Sequence, residues 1–294
     1  MYSIVYSFFL MLLLCHHPGL AATISEQIQL IEKRNDGRLG IAIINTGNNQ
    51  QLNYRANERF PMGCTSKVIG VAAVLSRAES KPDRLNKRIY YGHDDLTTWS
   101  PITGKNIDQG MTVKDLCQAA ISYSDNSAMN FLVKELGGVQ AMTQFARTLG
   151  DKSFRQDRTW PEEAKAGGDD VRDSSTPALM AANIYQLLFG TRLDVTSRQL
   201  LKKWMLHNTT GVHRIRAGVP KHWQVADKTG TGMYYGTTND IAILFPPNCP
   251  PIVVAIYFTQ NKKEAKPNSQ VVADVTEYVI RYLADHDSCI RESI

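Results

Sequence analysis

Phe60-Pro61-Met62-Gly63-Cys64-Thr65-Ser66-Lys67, followed at once by the apolar run Val68 to Leu75, divides the chain into two kinds of sequence. Upstream, Leu39 to Ile44 and Gln51 to Tyr54 flank Thr46-Gly47-Asn48-Asn49, which is hairpin chemistry between two strands. A helix precedes them: Thr23 and Glu26 make a capping box, Ile24, Ile28 and Ile31 recur at helical spacing, and Gly37 stops it. Downstream, Val68 to Leu75 predicts a helix apolar on all sides and therefore buried. Further helices are expected over Val113 to Ile121, Ser127 to Leu136 before Gly137-Gly138, Val139 to Leu149 before Gly150, Pro177 to Phe189 before Gly190, and Ser197 to His207. Strands return at Gln224 to Lys228, Asp240 to Phe245 and Ile252 to Thr259, and the closing helix carries Val271, Val275, Tyr278, Val279 and Tyr282 on one side. Strands at both ends with helices between predict an α/β (α+β) fold. A sheet domain built from residues 23–61 and 211–294 is interrupted by an all-helical domain over 62–210, with a cleft between them.

The 294 residues are 43% hydrophobic, enough to bury a large core. The 33 Lys and Arg against 28 Asp and Glu give +5, spread without a run of five or six basic residues, which argues against a nucleic-acid partner. Charged residues at 21% exclude a disordered or acidic solvating chain. Residues 1–22 contain no Lys, Arg, Asp or Glu, carry the apolar run Phe8 to Leu14, and end in Gly19-Leu20-Ala21-Ala22. That pattern predicts a secretory signal peptide, too short for the ~20 residues of a membrane span. The expected mature chain is secreted or periplasmic, with no stable membrane insertion.

Of five cysteines, Cys15 falls in that leader, and no two of the others are spaced as zinc ligands, so no metal is expected. Cys117 shares a helical face with Val113, Leu116, Ala120 and Ile121 and reads as an inert core residue. Cys249 and Cys289 could pair in an oxidising compartment.

Three motifs could carry chemistry. At the head of the buried helix, Lys67 lies one turn after Cys64, so thiol and amine share a face. The ammonium and the helix dipole both favour the thiolate, lowering a thiol whose free pKa is ~8.5. Taken alone, the same spacing reads first as a small buried cysteine beginning a core helix. In Ser122-Tyr123-Ser124-Asp125-Asn126, Ser124 could relay a proton and the Asn126 amide could hold a substrate carbonyl or a lysine, although Ser, Asp and Asn also start helices. In Asp227-Lys228-Thr229-Gly230-Thr231, a strand offers a cation and hydroxyls to an anionic group.

Together and in this order the motifs resemble those of the class A β-lactamases, within the penicillin-recognising acyl transferases marked by S-x-x-K, S-D-N and K-T-G. Further matches are Trp99-Ser100-Pro101, Arg158 and Asp173 bracketing an omega loop over about 155–173, Arg172-Asp173-Ser174-Ser175-Thr176-Pro177, Asn208-Thr209-Thr210-Gly211 and Arg216-Ala217-Gly218. The segment Gly211-Val212-His213-Arg214-Ile215-Arg216, with Thr231, is most similar to the carbapenem-hydrolysing branch. The resemblance implies a five-stranded antiparallel sheet flanked by helices plus an all-helical domain. It implies a monomer that needs no cofactor and acts on a small β-lactam or a cell-wall peptide fragment. Catalytic roles would fall to Cys64, Lys67, Ser124 and Lys228, with the backbone N–H groups of Cys64 and Thr231 as oxyanion hole. Trp99, Asn126, Trp160, Arg214, Thr229, Gly230 and Thr231 would bind substrate, with Arg214, Thr229 and Thr231 taking its carboxylate.

The departures fall at the reacting centre. The nucleophilic serine is replaced by Cys64, and no other S-x-x-K occurs in the sequence. The omega-loop Glu and Asn that hold the deacylating water fall on Trp160 and Ala164, so hydrolysis is expected to be slow or absent, the indole filling space the water needs. Glu162 and Glu163 are close by, but are expected to have to move to reach the acyl carbon. The cysteines that the carbapenemase branch links across the site fall on Gly63 and Gly232. Several departures together suggest natural divergence rather than a single trap substitution. Two alternatives remain: a non-hydrolytic β-lactam or peptidoglycan-fragment binder, and a cell-wall peptide amidase or transpeptidase.

Overall fold

A computed structural model describes residues 23–294; the expected signal peptide lies outside the described residues. Helix α1 (Ile24–Arg34) begins as its capping box predicts, the Thr23 hydroxyl accepting from the Glu26 N–H while the Glu26 carboxylate accepts from Thr23. Strands β1 (Gly37–Asn45) and β2 (Gln51–Tyr54) form the hairpin. The two-residue strand β3 (Phe60–Pro61) then runs into a 3₁₀ turn, Gly63–Ser66, and helix α2 (Lys67–Glu79), which is buried continuously from Lys67 to Leu75.

A short pair, β4 (Arg88–Ile89) and β5 (Met111–Thr112), precedes α3 (Val113–Ser122), α4 (Asn126–Leu136) and α5 (Gln140–Thr148). Gly137 closes α4 at φ +86°, a left-handed conformation in which glycine has no Cβ to clash. The strand β6 (Ser174–Ser175) pairs with β3 and so pins the far end of the omega loop beside the Cys64 turn. After α6 (Pro177–Leu188) and α7 (Val195–Leu206) come β7 (Gln224–Thr231), β8 (Thr238–Phe245) and β9 (Ile252–Gln260), then α8 (Ser269–His286) and α9 (Ser288–Glu292).

The five strands are antiparallel in the order β2-β1-β9-β8-β7, which joins the two ends of the chain in one sheet. Alternation along the strands feeds two cores. Ile241, Ile243, Val253 and Ala255 join the cluster containing Val68, Leu116 and Ile184, whereas Ala242, Leu244, Val254 and Ile256 join Ile28, Val271, Val275 and Val279. With both faces covered, the strands read as apolar runs rather than as strict alternation. β7 is the edge strand beside the Cys64 turn, so Lys228, Thr229 and Gly230 lie where the sheet meets the helical region.

The structure corrects or sharpens some expectations. Strand β7 continues through Thr231, which pairs with Thr238. Tyr278, expected on the buried side of α8, is 39% exposed, because the apolar stripe is only as wide as Val271, Val275 and Val279 make it. Cys117 is fully buried, and burial pushes its thiol far up, in keeping with an inert core residue. Cys249 and Cys289, 40 residues apart, form a disulfide that ties the β8–β9 turn to α9. A loop of that length contributes about 2–4 kcal/mol of stability. The double variant Cys249→Ser with Cys289→Ser is therefore expected to lower the urea midpoint by the corresponding amount, and an unchanged midpoint would contradict this.

Candidate active site

The Cys64 turn, the Ser124–Asn126 turn, the omega loop and β7 converge on a cleft of about 390 Å³ lined by Cys64, Trp99, Ser124, Asn126, Glu163, Thr229 and Thr231, with Arg214 at one side. That size lies within the range of small-molecule sites. Gly63 shapes the Cys64 turn: its φ is +52°, and a Cβ there would stand 3.0 Å from the Thr231 nitrogen. A cysteine at this position would be strained, consistent with the missing cross-site disulfide. Asn239 on β8 ties the same turn to the sheet, donating to Pro61 O at 2.7 Å and Met62 O at 3.1 Å.

Lys67 is 0% exposed, and its Nζ donates to Ser124 O and Asn126 Oδ1, each at 2.7 Å, and to Asp125 O at 3.4 Å. Three oxygen acceptors match the three N–H donors of an ammonium. Ser124 reaches this geometry at φ +57°, left-handed and costly by about 1–3 kcal/mol for a residue with a Cβ. Asp125 locks the turn, accepting from the N–H groups of Ile102, Thr103 and Ala128. The second buried cation, Lys228, donates to Ser124 Oγ at 2.9 Å, and burial pushes it down to about 8.

These two lysines set the state of Cys64. Burial pushes its thiol up, but the charges of Lys67 and Lys228, and more weakly contacts from Ser124 and Lys67, outweigh burial and bring it from 9.0 to about 7. Half-buried in the cleft wall, the thiol also contacts Glu163, with Sγ 3.7 Å from Oε1. Glu163 is 1% exposed, its Oε2 has no hydrogen-bond partner, and burial together with the Cys64 thiolate holds its carboxyl well above the usual carboxylate range.

This corrects two expectations about the omega loop. Glu163 already stands against the Cys64 sulfur, whereas Glu162 faces outward, paired with Lys165. Trp160, expected to bind substrate and block water, is 2% exposed and packs in the core beneath the cleft rather than lining it, its ring 5.4 Å from Lys67 Nζ. Asn130 holds it there, donating to Trp160 O at 2.7 Å and accepting from Trp160 N at 3.0 Å. Pro161 leads from Trp160 into a 3₁₀ turn over Glu162–Lys165, within which Glu163 is buried and Glu162 is exposed. The loop's neck is closed by Arg158 on Asp173, whose Oδ1 also accepts from the backbone of Asp157 and Arg158.

Opposite, Arg214 is buried and spends its donors on Gly230 O at 2.8 Å, Asn239 O at 2.7 Å and Thr231 Oγ1 at 2.6 Å. Because Thr231 Oγ1 accepts from Arg214, its own hydrogen is free to donate into the cleft. Thr210 Oγ1 donates to Asn208 Oδ1 and lies 2.6 Å from Thr229 Oγ1, which orients the Thr229 hydroxyl. Trp99, 62% exposed, stands at the mouth with its indole N–H donating to Tyr123 O. Lys67, Lys228 and Gly230 sit behind the cleft wall rather than on it. Asn130 and Asn239 had no motif to reveal them, since each acts on backbone, and the motif Asn208-Thr209-Thr210-Gly211 gave no sign that Thr210 orients Thr229.

A sequence model of the beta-lactamase enzyme family matches residues 23–283. A β-lactamase from Proteus vulgaris is 46% identical over 259 residues, covering 88% of this chain and 95% of the relative. The OXY-1 β-lactamase of Klebsiella oxytoca is 46% identical over 259 residues, covering 88% and 89%. Among solved structures, an ancestral (GNCA) class A β-lactamase superposes with TM-score 0.85 at 47% identity over 88% of this chain and 100% of that one. A β-lactamase from Streptosporangium roseum gives 0.86 at 38% identity, covering 88% and 98%.

The electrostatics predict how the thiol titrates. Alkylation of Cys64 by iodoacetamide, followed by mass spectrometry, should rise with pH through a midpoint near 7, with Cys117 unmodified in the folded chain. Lys67→Met should move that midpoint upward. A Cys64 profile centred near 9.0, unchanged by Lys67→Met, would contradict the assignment.

Proposed function

The chain belongs to the class A β-lactamase family, and from that membership we propose an acyl-transfer enzyme in which the Cys64 thiol attacks the carbonyl of a penicillin- or carbapenem-like β-lactam. The observation that carries this reading is the thiol itself: it faces the cleft, within the field of two buried lysines that bring it to about 7. A thiol so poised is about half thiolate at neutral pH and is the better nucleophile for it.

In this reading Sγ bonds to the lactam carbon, the oxyanion is held by the backbone N–H groups of Cys64 and Thr231, and the C–N bond opens. Ser124 Oγ, which accepts from Lys228, hands its hydrogen to the departing nitrogen and is reprotonated by Lys228. Lys67 does not accept the proton, since its ammonium is engaged by three oxygens; it stabilises the thiolate and holds the Ser124–Asn126 turn. The Thr231 hydroxyl donates to the ligand carboxylate, Arg214 acting through Thr231 rather than by direct contact, and Thr229 joins it only by turning its hydrogen away from Thr210. Trp99 covers the ring from the mouth. The match of Gly211 to Arg216 and Thr231 to the carbapenem-hydrolysing branch favours including carbapenems among the substrates.

Because Trp160 and Ala164 stand where the family's water-holding pair would be, release of the acyl group does not follow the ordinary route. The apolar leader over residues 1–22 and the Cys249–Cys289 bond both support action outside the cytoplasm, by a chain that works as a monomer.

Intact-mass spectrometry after mixing with a penicillin or a carbapenem tests the reading. The expected result is a covalent adduct on Cys64, transient or lasting, that Cys64→Ala abolishes. Ligand binding with neither adduct nor turnover, and unaffected by Cys64→Ala, would instead favour a non-covalent binder.

A further inference from the structure

The omega loop supplies a carboxyl group that the family's motif does not assign. Glu163 Oε1 lies 3.7 Å from the Cys64 sulfur, Oε2 is buried without a partner, and the residue lines the same cleft as the thiol. Five buried polar side-chain atoms lack a protein partner among the described residues, and Glu163 Oε2 is the one of them whose residue lines the cleft beside the thiol. No protein donor competes with a water for that oxygen.

We propose that Glu163 is the catalytic general base that hydrolyses the Cys64 thioester, taking a proton from the attacking water and returning the site to its resting state. This rests on Cys64 being the nucleophile.

The proton count closes around the pair. When Cys64 is ionised, burial and the adjacent thiolate favour the proton on the Glu163 carboxyl, so the reactive form of the pair is a thiolate beside a protonated carboxyl. Acylation consumes the thiolate charge: the S–C bond forms, the C–N bond breaks, and the pair's proton is taken up, in net, by the ring nitrogen. The neutral thioester no longer opposes ionisation of Glu163, while Lys67 still favours it. The carboxylate then removes a proton from water, the hydroxide adds to the thioester carbon, and the C–S bond breaks. The products are a carboxylic acid, the Cys64 thiolate and a protonated Glu163, which is the starting state. Acylation thus converts the base from its inactive to its active form. The charged groups that face Glu163 are Cys64 on its turn, Lys67 on α2 and Asp173 at the loop's neck.

Glu163→Gln tests this. The amide is nearly isosteric with the protonated carboxyl, so the fold should be retained, and an amide N–H can still donate to the thiolate. Adduct formation with a penicillin should persist within about tenfold, while release of the thioester, followed by intact mass after removal of free ligand, should slow roughly 10²- to 10⁴-fold. Glu163→Asp, with its carboxylate set back by one methylene, should give an intermediate lifetime and provides a second variant if the first does not fold. Release from either variant at the wild-type rate overturns the proposal, as does a wild-type thioester that is never released. Absence of both adduct and turnover in the wild type overturns the Cys64 reading itself, which is a separate outcome.

Discussion

Lys67 brings a full positive charge into a site with no solvent exposure, and the surrounding architecture follows from the need to satisfy it. Desolvating an ammonium costs several kcal/mol, and hydrogen bonds to a charged group each return roughly 1.5–3 kcal/mol. The return comes from Ser124 O, Asp125 O and Asn126 Oδ1, which are available only because Ser124 takes a left-handed turn and Asp125 is locked by three backbone N–H groups. The same contacts fix the head of α2 against the start of α4, and hence place the Cys64 thiol relative to Ser124 and Lys228. Replacing serine by cysteine suits this field, since two cations favour an anion that a thiol forms at neutral pH and a hydroxyl does not.

The omega loop accommodates that change. The indole at position 160 has a donor N–H but no acceptor to take a proton from water, and its bulk lies in the apolar core, bracketed by the Asn130 amide. Trp160 points inward, and in the 3₁₀ turn that follows Pro161 the Glu163 carboxyl reaches the sulfur. Ala164 leaves space there, its carbonyl instead receiving the Met233 N–H across the cleft. The loop thus places a carboxyl group three residues after the position where the family carries its Glu.

Much of this was legible in the sequence because the signals were local. The Thr23–Glu26 capping box, the turn at Thr46–Asn49, the uniformly apolar Val68 to Leu75 and the glycine stop after α4 each declare an element without reference to the rest of the chain. The three motifs likewise named Cys64, Lys67, Ser124 and Lys228, which the fold brings together. What escaped depends on distant partners. Whether Trp160 or Glu163 faces the thiol is decided by a 3₁₀ turn and by Asn130, thirty residues earlier, so reading along the loop predicted a blocked site where the packing gives an occupied one. Arg214 could be recognised as a carboxylate-site residue, yet its donors go to carbonyls of β7 and β8, a matter of strand register that spacing does not reveal.

The central claim is that a thiol and a carboxyl share one proton at the centre of a β-lactamase cleft and take turns as nucleophile and base. The most direct measurement is a crystal structure of the Glu163→Gln chain soaked with a β-lactam. The account predicts continuous density from Cys64 Sγ to a ring-opened carbonyl, with a water held between the substituted amide side chain and the carbonyl carbon. An intact lactam beside a free thiol, or a thioester whose approaching water is held by another residue, would contradict it.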